Sequence, residues 1–394
     1  MRPPSQPPRP VVVTRDETLR DLLATLARAE RVAVDIEASG MFAYRAEPCT
    51  VQLAWDGGQA VAVVDVLATP VKALAPLLGV EGPVKIVHDV AFDARLLAES
   101  GVTLGNVHDT SVAARMLSRQ ATGLASLLDA ELGIKISKTL QQHDWRERPL
   151  DESMLAYLAA DVAHLEALDR KLWSELEAHD IEEAVLEETR YRLASAAEAA
   201  SDPAPAPPPY ARVKGAHRLS ERELAALRAI AEVREQEARR RDVPPHQVAS
   251  ADALLAIARA RPTSVDALAR LRGAATPEGR EFATALLRAL AGAGDHIPED
   301  ERAHFEPARI PAEEAKRRRE REARLTAWRR AEAKRRGVDE QVVLPGHCLK
   351  DAASPHVRSP ADLARVPGIG AFRIARDGEA MATALFAAGV EATA

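Results

Sequence analysis

Residues 201–209 read SDPAPAPPP, five prolines in nine positions. No helix or central strand runs through such a segment, because proline lacks an amide donor and locks its own φ. It reads as a stiff polyproline spacer, so the 394 residues are not expected to close around one continuous core. Upstream, β-branched clusters alternate with helical periodicity. Strands are expected over residues 11–13, 31–37, 49–55, 60–65 and 83–87, with Asp56-Gly57-Gly58 turning a hairpin. A helix is expected over about 16–30, started by a capping box of Thr14 and Glu17, and another near 88–99. From Asp109 onward the pattern is almost wholly helical. Together these predict an α/β domain, a mixed sheet with flanking helices, over residues 11–200 behind a flexible tail at 1–10.

Beyond a linker at 201–216 lie two all-α stretches, 217–293 and 312–394. In the first, Ala231 to Arg241 precede Asp242-Val243-Pro244-Pro245, and Arg261-Pro262-Thr263-Ser264 follows. In the second, Arg324 to Arg336 precede Gly337-Val338-Asp339, and Val357-Arg358-Ser359-Pro360 takes the later place. An internally duplicated helical module, diverged in its second copy, is the economical reading.

Composition narrows the class. No apolar run reaches the roughly 18 residues of a membrane span, and Met1 to Pro10 lacks the apolar stretch of a secretory signal. Two cysteines, Cys49 and Cys348, lie far apart and do not read as a disulfide framework, which points to a reducing, cytoplasmic setting. The net charge of −6 argues mildly against a nucleic-acid partner, but global charge says little where acidic sites and basic surfaces coexist. The run from Lys316 to Arg336 alternates with Glu313, Glu314, Glu320 and Glu322 and reads as a solvated helix face.

Candidate chemistry begins in Val32-Ala33-Val34-Asp35-Ile36-Glu37. The strand period puts Asp35 and Glu37 on one face and Val32, Val34 and Ile36 on the other. Two adjacent carboxylates repel and lose solvation unless a cation neutralises them, and hard oxygen donors suit magnesium or manganese. The pair alone fits a solvated strand end equally well. Asp93, where a strand runs into a helix, is also where an acid offsets a helix dipole. Tyr157 and Asp161 stand four apart, hence on one helical face.

The ordered set is more specific than its parts. Asp-x-Glu on a strand, an acid at a strand-to-helix junction, then Tyr157-Leu158-Ala159-Ala160-Asp161 resembles the tyrosine-bearing DEDD exonucleases. With Lys138 and Asp144-Trp145-Arg146-Glu147-Arg148-Pro149-Leu150 the chain resembles ribonuclease D. The histidine-bearing subclass would need histidine where Ala156 stands. The two C-terminal modules are similar to HRDC domains. The resemblance implies a ribonuclease H-like catalytic fold and 3′-to-5′ trimming of RNA with a free 3′ end, such as tRNA precursors; a monomer is expected. It implies two divalent ions, Mg2+ or Mn2+, held by Asp35, Glu37, Asp93 and Asp161, with Tyr157 orienting a water and nucleoside 5′-monophosphates as products. Phe42, Tyr44 and Phe92 are candidates for stacking on bases, although core packing explains Phe92 equally well. Lys138, Arg146 and Arg148 are candidates for phosphate contacts, and Trp145 for a loop anchor. His88 is a possible nucleic-acid contact, with a structural role the commoner alternative. Val366-Pro367-Gly368-Ile369-Gly370 could present amides to a phosphate, or be a plain turn. Ala38 departs from the aromatic usual there. The rival readings are the same chemistry on DNA, and a nucleic-acid-binding scaffold without catalysis.

Overall fold

The computed structural model describes residues 7–201, 206–271, 280–305 and 310–386. The expected spacer therefore lies partly outside the described residues, at 202–205. Two compact units are formed. One holds the described residues of Met1–Ala38, Pro48–Asp202 and Ile310–Ala394. The other holds those of Ser39–Glu47 and Pro203–Arg309.

In the first unit, β1 (Val11–Val13), β2 (Arg31–Ala38), β3 (Pro48–Trp55), β4 (Ala60–Asp65), β5 (Val84–Val87) and β6 (Val107–Asp109) form one sheet in the order β1-β4-β3-β2-β5-β6. β2, β3 and β4 are antiparallel neighbours, whereas β1 lies parallel to β4, and β5 and β6 continue parallel from β2. The sheet is mixed, as expected. β6 was not expected; Val107-His108-Asp109 holds one β-branched residue, where Val11-Val12-Val13 holds three. The helices of this region are α1 (Asp16–Leu26), α2 (Ala91–Glu99), α3 (Thr110–Met116), α4 (Glu152–Ala163), α5 (Leu165–Ala178) and α6 (Glu182–Ser201), with shorter turns between them. The cap of α1 is Arg15, without a side-chain bond, so Thr14 does not make the expected capping box.

β2 is the central strand that matters. Val32, Val34 and Ile36 are buried, and each such side chain contributes about 1.5–3 kcal/mol when fully removed from water. That burial fixes the register, pairing Asp35 with Gln52 and Glu37 with Thr50, and a bulge between Glu37 and Ala38 ends regular pairing.

The helical modules share one succession. In the second unit run α7 (Glu221–Arg241), α8 (Pro245–Val248), α9 (Ala251–Ala260), α10 (Val265–Ala269) and α11 (Arg280–Gly292). In the first unit follow α12 (Ala312–Arg336), α13 (Glu340–Val343), α14 (Cys348–Ala352), α15 (Pro360–Leu363) and α16 (Gly370–Phe386). The long first helices end in left-handed residues, Asp242 and Gly337. The fourth helices start on Ser264 and Ser359, whose hydroxyls accept from amides three residues on. Both cysteines are buried and neither is in a disulfide.

Candidate active site

Three elements bring the acids together. β2 supplies Asp35 and Glu37, and α2 supplies Asp93. α4 supplies Asp161: Asp151 caps its start by accepting from the Met154 amide at 2.8 Å. Ala159 and Val162 of that helix pack with Ala33 of β2 and Ala54 of β3, and Leu158 packs with Cys49 and Val63, which brings Asp161 up to the acids of β2. Carboxylate oxygens of Asp35, Glu37 and Asp161 lie within 4.8 Å of one another. Asp93, in the first turn of α2, stands outside that tight triad but close enough for its charge to act on Glu37.

The placement of Asp93 depends on a residue the sequence reading passed over. Asp109, fully buried, accepts from the amides of Asp89 and Val90, each at 3.0 Å, just ahead of α2. It also accepts from Ser111 and Val112 at the start of α3. One carboxylate thus caps α3 and ties down the turn that leads to Asp93. Its signal was an acid directly before a helical run, which reads as a cap and nothing more.

Burial sets the electrostatics, and the neighbouring acids add to it. Burial pushes Asp35 up to about 6. Glu37 is pushed to about 9, by burial first and then by Asp35, Asp161 and Asp93. Burial, then Asp35, raises Asp161 to about 8. Asp93 is held well above the usual carboxylate range by burial and the negative charges around it. The Tyr157 phenol, within hydrogen-bonding reach of Asp161, is raised by burial and these same acids and stays protonated. Oxygen donors so close together, buried and mutually repelling, fit a divalent cation, which would remove the repulsion.

Trp145 is buried beside Tyr157, ring centres 5.6 Å apart, and approaches Glu37 without closing a well-formed hydrogen bond. It anchors its loop, as expected. Arg148 corrects its expected role: it binds Asp65 at 2.6 and 2.8 Å and the carbonyls of Cys49 and Trp145, so its donors are engaged inside the protein rather than offered to phosphate. Arg146 is paired with Asp144 at 2.9 Å, and Lys138 is exposed. The His88 Nδ1 is 2.9 Å from the Thr110 hydroxyl, which donates to the Val87 carbonyl. His88 therefore takes the structural alternative, and burial lowers its pKa. Phe92 is 47% exposed beside Asp93, with the Arg95 guanidinium over its ring, which removes the core-packing alternative.

Tyr44 also departs from expectation. Within the second unit its hydroxyl donates to Glu235 at 2.6 Å and accepts from Arg239 at 2.8 Å, and its amide donates to Asp242. Its ring packs on the core of the first helical module. Tyr44 is thereby an anchor rather than a base-stacking surface. Phe42 lies in the same loop, its amide bonded to the Ser39 carbonyl.

Residues 10–177 match the 3'-5' exonuclease family, and residues 223–290 and 318–385 each match the HRDC domain. Ribonuclease D of Gluconacetobacter diazotrophicus is 34% identical over 299 residues, 73% of this chain and 72% of the relative. Ribonuclease D of Shewanella sp. is 30% identical over 281 residues, 71% of each. Among solved structures, Escherichia coli RNase D aligns with a TM-score of 0.67 at 24% identity, over 95% of this chain and 98% of that one. A protein from Bifidobacterium adolescentis aligns at 0.76 and 21%, over 98% and 99%. These two likenesses show the fold, and the sequence relatives show the family. The chain belongs to the ribonuclease D family of 3′-5′ exoribonucleases.

Proposed function

We propose that the protein removes nucleotides one at a time from RNA 3′ ends by hydrolysis of the last phosphodiester, releasing nucleoside 5′-monophosphates. The observation that carries this reading is the triad of Asp35, Glu37 and Asp161 with oxygens within 4.8 Å, and Tyr157 against Asp161. Asp35, Glu37 and Asp161, with Asp93 nearby, would hold two divalent ions, Mg2+ or Mn2+. When bound, such ions supply positive charge to the scissile phosphate and acidify an attacking water.

The chain's own residues do the rest. Tyr157 keeps its proton, so its hydroxyl can both donate to Asp161 and orient a water for attack in line with the leaving 3′ oxygen. Phe92 offers a ring to a base near the cut, and stacking of this kind tolerates any sequence. Lys138, exposed, suits a phosphate upstream of the cut. The RNA assignment follows the ribonuclease D relatives. Escherichia coli RNase D is an exoribonuclease involved in structured RNA processing, and 3′ maturation of tRNA precursors or other small stable RNAs by a cytoplasmic monomer fits such a role. No helix among the described residues is long and apolar enough to cross a membrane.

The test is digestion of 5′-labelled single-stranded RNA and DNA of one sequence, with free or blocked 3′ ends. A single-nucleotide ladder on free-ended RNA, with monophosphate product, supports the reading; preferential digestion of DNA overturns it. Replacing Tyr157 by Phe should lower kcat by about 10²-fold, with RNA affinity unchanged.

A further inference from the structure

The helix start just after Val366-Pro367-Gly368-Ile369-Gly370 does hold an anion, and the anion is the protein's own. Gly368 and Gly370 take φ of +86° and +79°, and α16 starts there. Oε1 of Glu187, from α6, accepts from the Phe372 amide at 2.7 Å, and Oε2 lies 3.3 Å from Nη1 of Arg373. A side chain on Gly370 would put its Cβ 2.2 Å from the Glu187 carboxyl carbon, so glycine is required for this approach. Arg373 is wholly buried, and its other donors go to the carbonyls of Ala184 on α6 and Val342 on α13. One turn on, the Tyr191 ring stacks on His347 at 4.3 Å, and Ser118 donates to Asp339 at 3.2 Å. Val342 lies in one apolar core with Leu168, Leu172 and Val112 of the nuclease. A phosphate at this turn would have to displace a buried carboxylate that also neutralises a buried arginine.

The same helix reaches the turn that precedes α2. Arg192, next after Tyr191, bonds Glu188 at 3.1 Å and Asp89 at 3.3 Å. Asp89 is left-handed, φ 66°, and its amide is one of the two held by Asp109. Two residues later α2 begins, carrying Asp93 in its first turn.

We propose that the second HRDC module is a positioning element of the nuclease rather than an RNA-gripping arm. It holds α6 through Glu187 and Arg373, and α6 holds the turn before Asp93 through Arg192. This rests on the reading of Asp93 as part of the metal site. Arg192 is the positioning residue, since it touches neither substrate nor the acidic triad.

The test uses the full-length chain with Arg192→Met, Arg192→Lys and Glu187→Gln, measuring kcat and KM on labelled RNA and the Mg2+ concentration giving half-maximal rate. Loss of an outer support of a metal ligand typically costs 10–100-fold. Arg192→Met and Glu187→Gln should therefore each raise the Mg2+ requirement about tenfold, at the low end of that range. KM for RNA should stay near the parental value, and Arg192→Lys should recover most of the loss. A raised KM with unchanged kcat and Mg2+ requirement would mean an RNA-binding arm and overturn the proposal. So would a lowered melting temperature with parental kinetics, which marks a purely structural contact. If Arg192→Met does not fold, Asp89→Gly keeps the left-handed turn, removes the same contact from the other side and must give the same Mg2+ shift. Asp93→Asn tests the underlying reading separately: parental activity there removes the metal assignment of Asp93, whatever Arg192 does.

Discussion

Arg148 grips Asp65 with two donors, Nε at 2.6 Å and Nη2 at 2.8 Å, across 83 residues of sequence. The contact fastens the loop carrying Trp145 to the end of β4, and Trp145 in turn backs Tyr157. A bidentate pair with one buried partner is worth more than an exposed ion pair, because losing the arginine leaves Asp65 buried and uncompensated. Arg148→Met should lower stability by about 2 kcal/mol near pH 7, measured by urea unfolding. Arg148 holds the Asp65 carboxyl below its ordinary value. That contribution is present above the unfolded aspartate pKa and is lost as pH falls through the folded one, so the gap between variant and parent should narrow in acid.

The acidic cluster has the opposite sign. Asp35, Glu37 and Asp161 are pushed up to about 6, 9 and 8 without a cation. A carboxyl raised in the folded state adds stability below its unfolded pKa, and that stability is lost as pH rises through the folded value. The chelated protein should therefore melt at progressively lower temperature between about pH 6 and pH 9. Added Mg2+ should raise Tm, and by more at the alkaline end, where binding displaces fewer protons. Calorimetry over that range, with and without metal, checks both trends; a metal effect that shrinks toward pH 9 would contradict them.

Phe92 gives a substrate prediction. Its ring is half-exposed at the start of α2 and can be truncated with little structural cost. Phe92→Ala should weaken binding of a short oligonucleotide by about 1–3 kcal/mol, the worth of one stacked base. The slope of affinity against salt should not change, because no phosphate contact is removed.

Much of the fold was legible because its signals are local. Residues 11–13 and 60–65 are β-branched runs, and their strands have the expected bounds. The tandem modules showed through repeated helix ends. What was hidden depended on distant partners. Nothing near Arg148 reveals that it meets Asp65 rather than a phosphate. Tyr44 stands seven residues after Glu37, yet Glu235 and Arg239 hold its hydroxyl. Glu187 looked like one more helical acid until Gly370 and Phe372 closed on it. The acids of the candidate site were legible as an ordered set, whereas their mutual repulsion appears only once β2, α2 and α4 are packed.

If Asp35 and its neighbours make a metal-dependent site for 3′-end hydrolysis, one experiment bears on them without intermediaries. It is single-turnover digestion of 5′-labelled RNA by the parent and by Asp35→Asn, in chelator and in Mg2+. The parent should shorten the RNA stepwise in Mg2+ alone. The Asn variant should not shorten it at all, although it binds the RNA with near-parental affinity. Shortening by Asp35→Asn at the parental rate, or by the parent in chelator, would contradict the metal site.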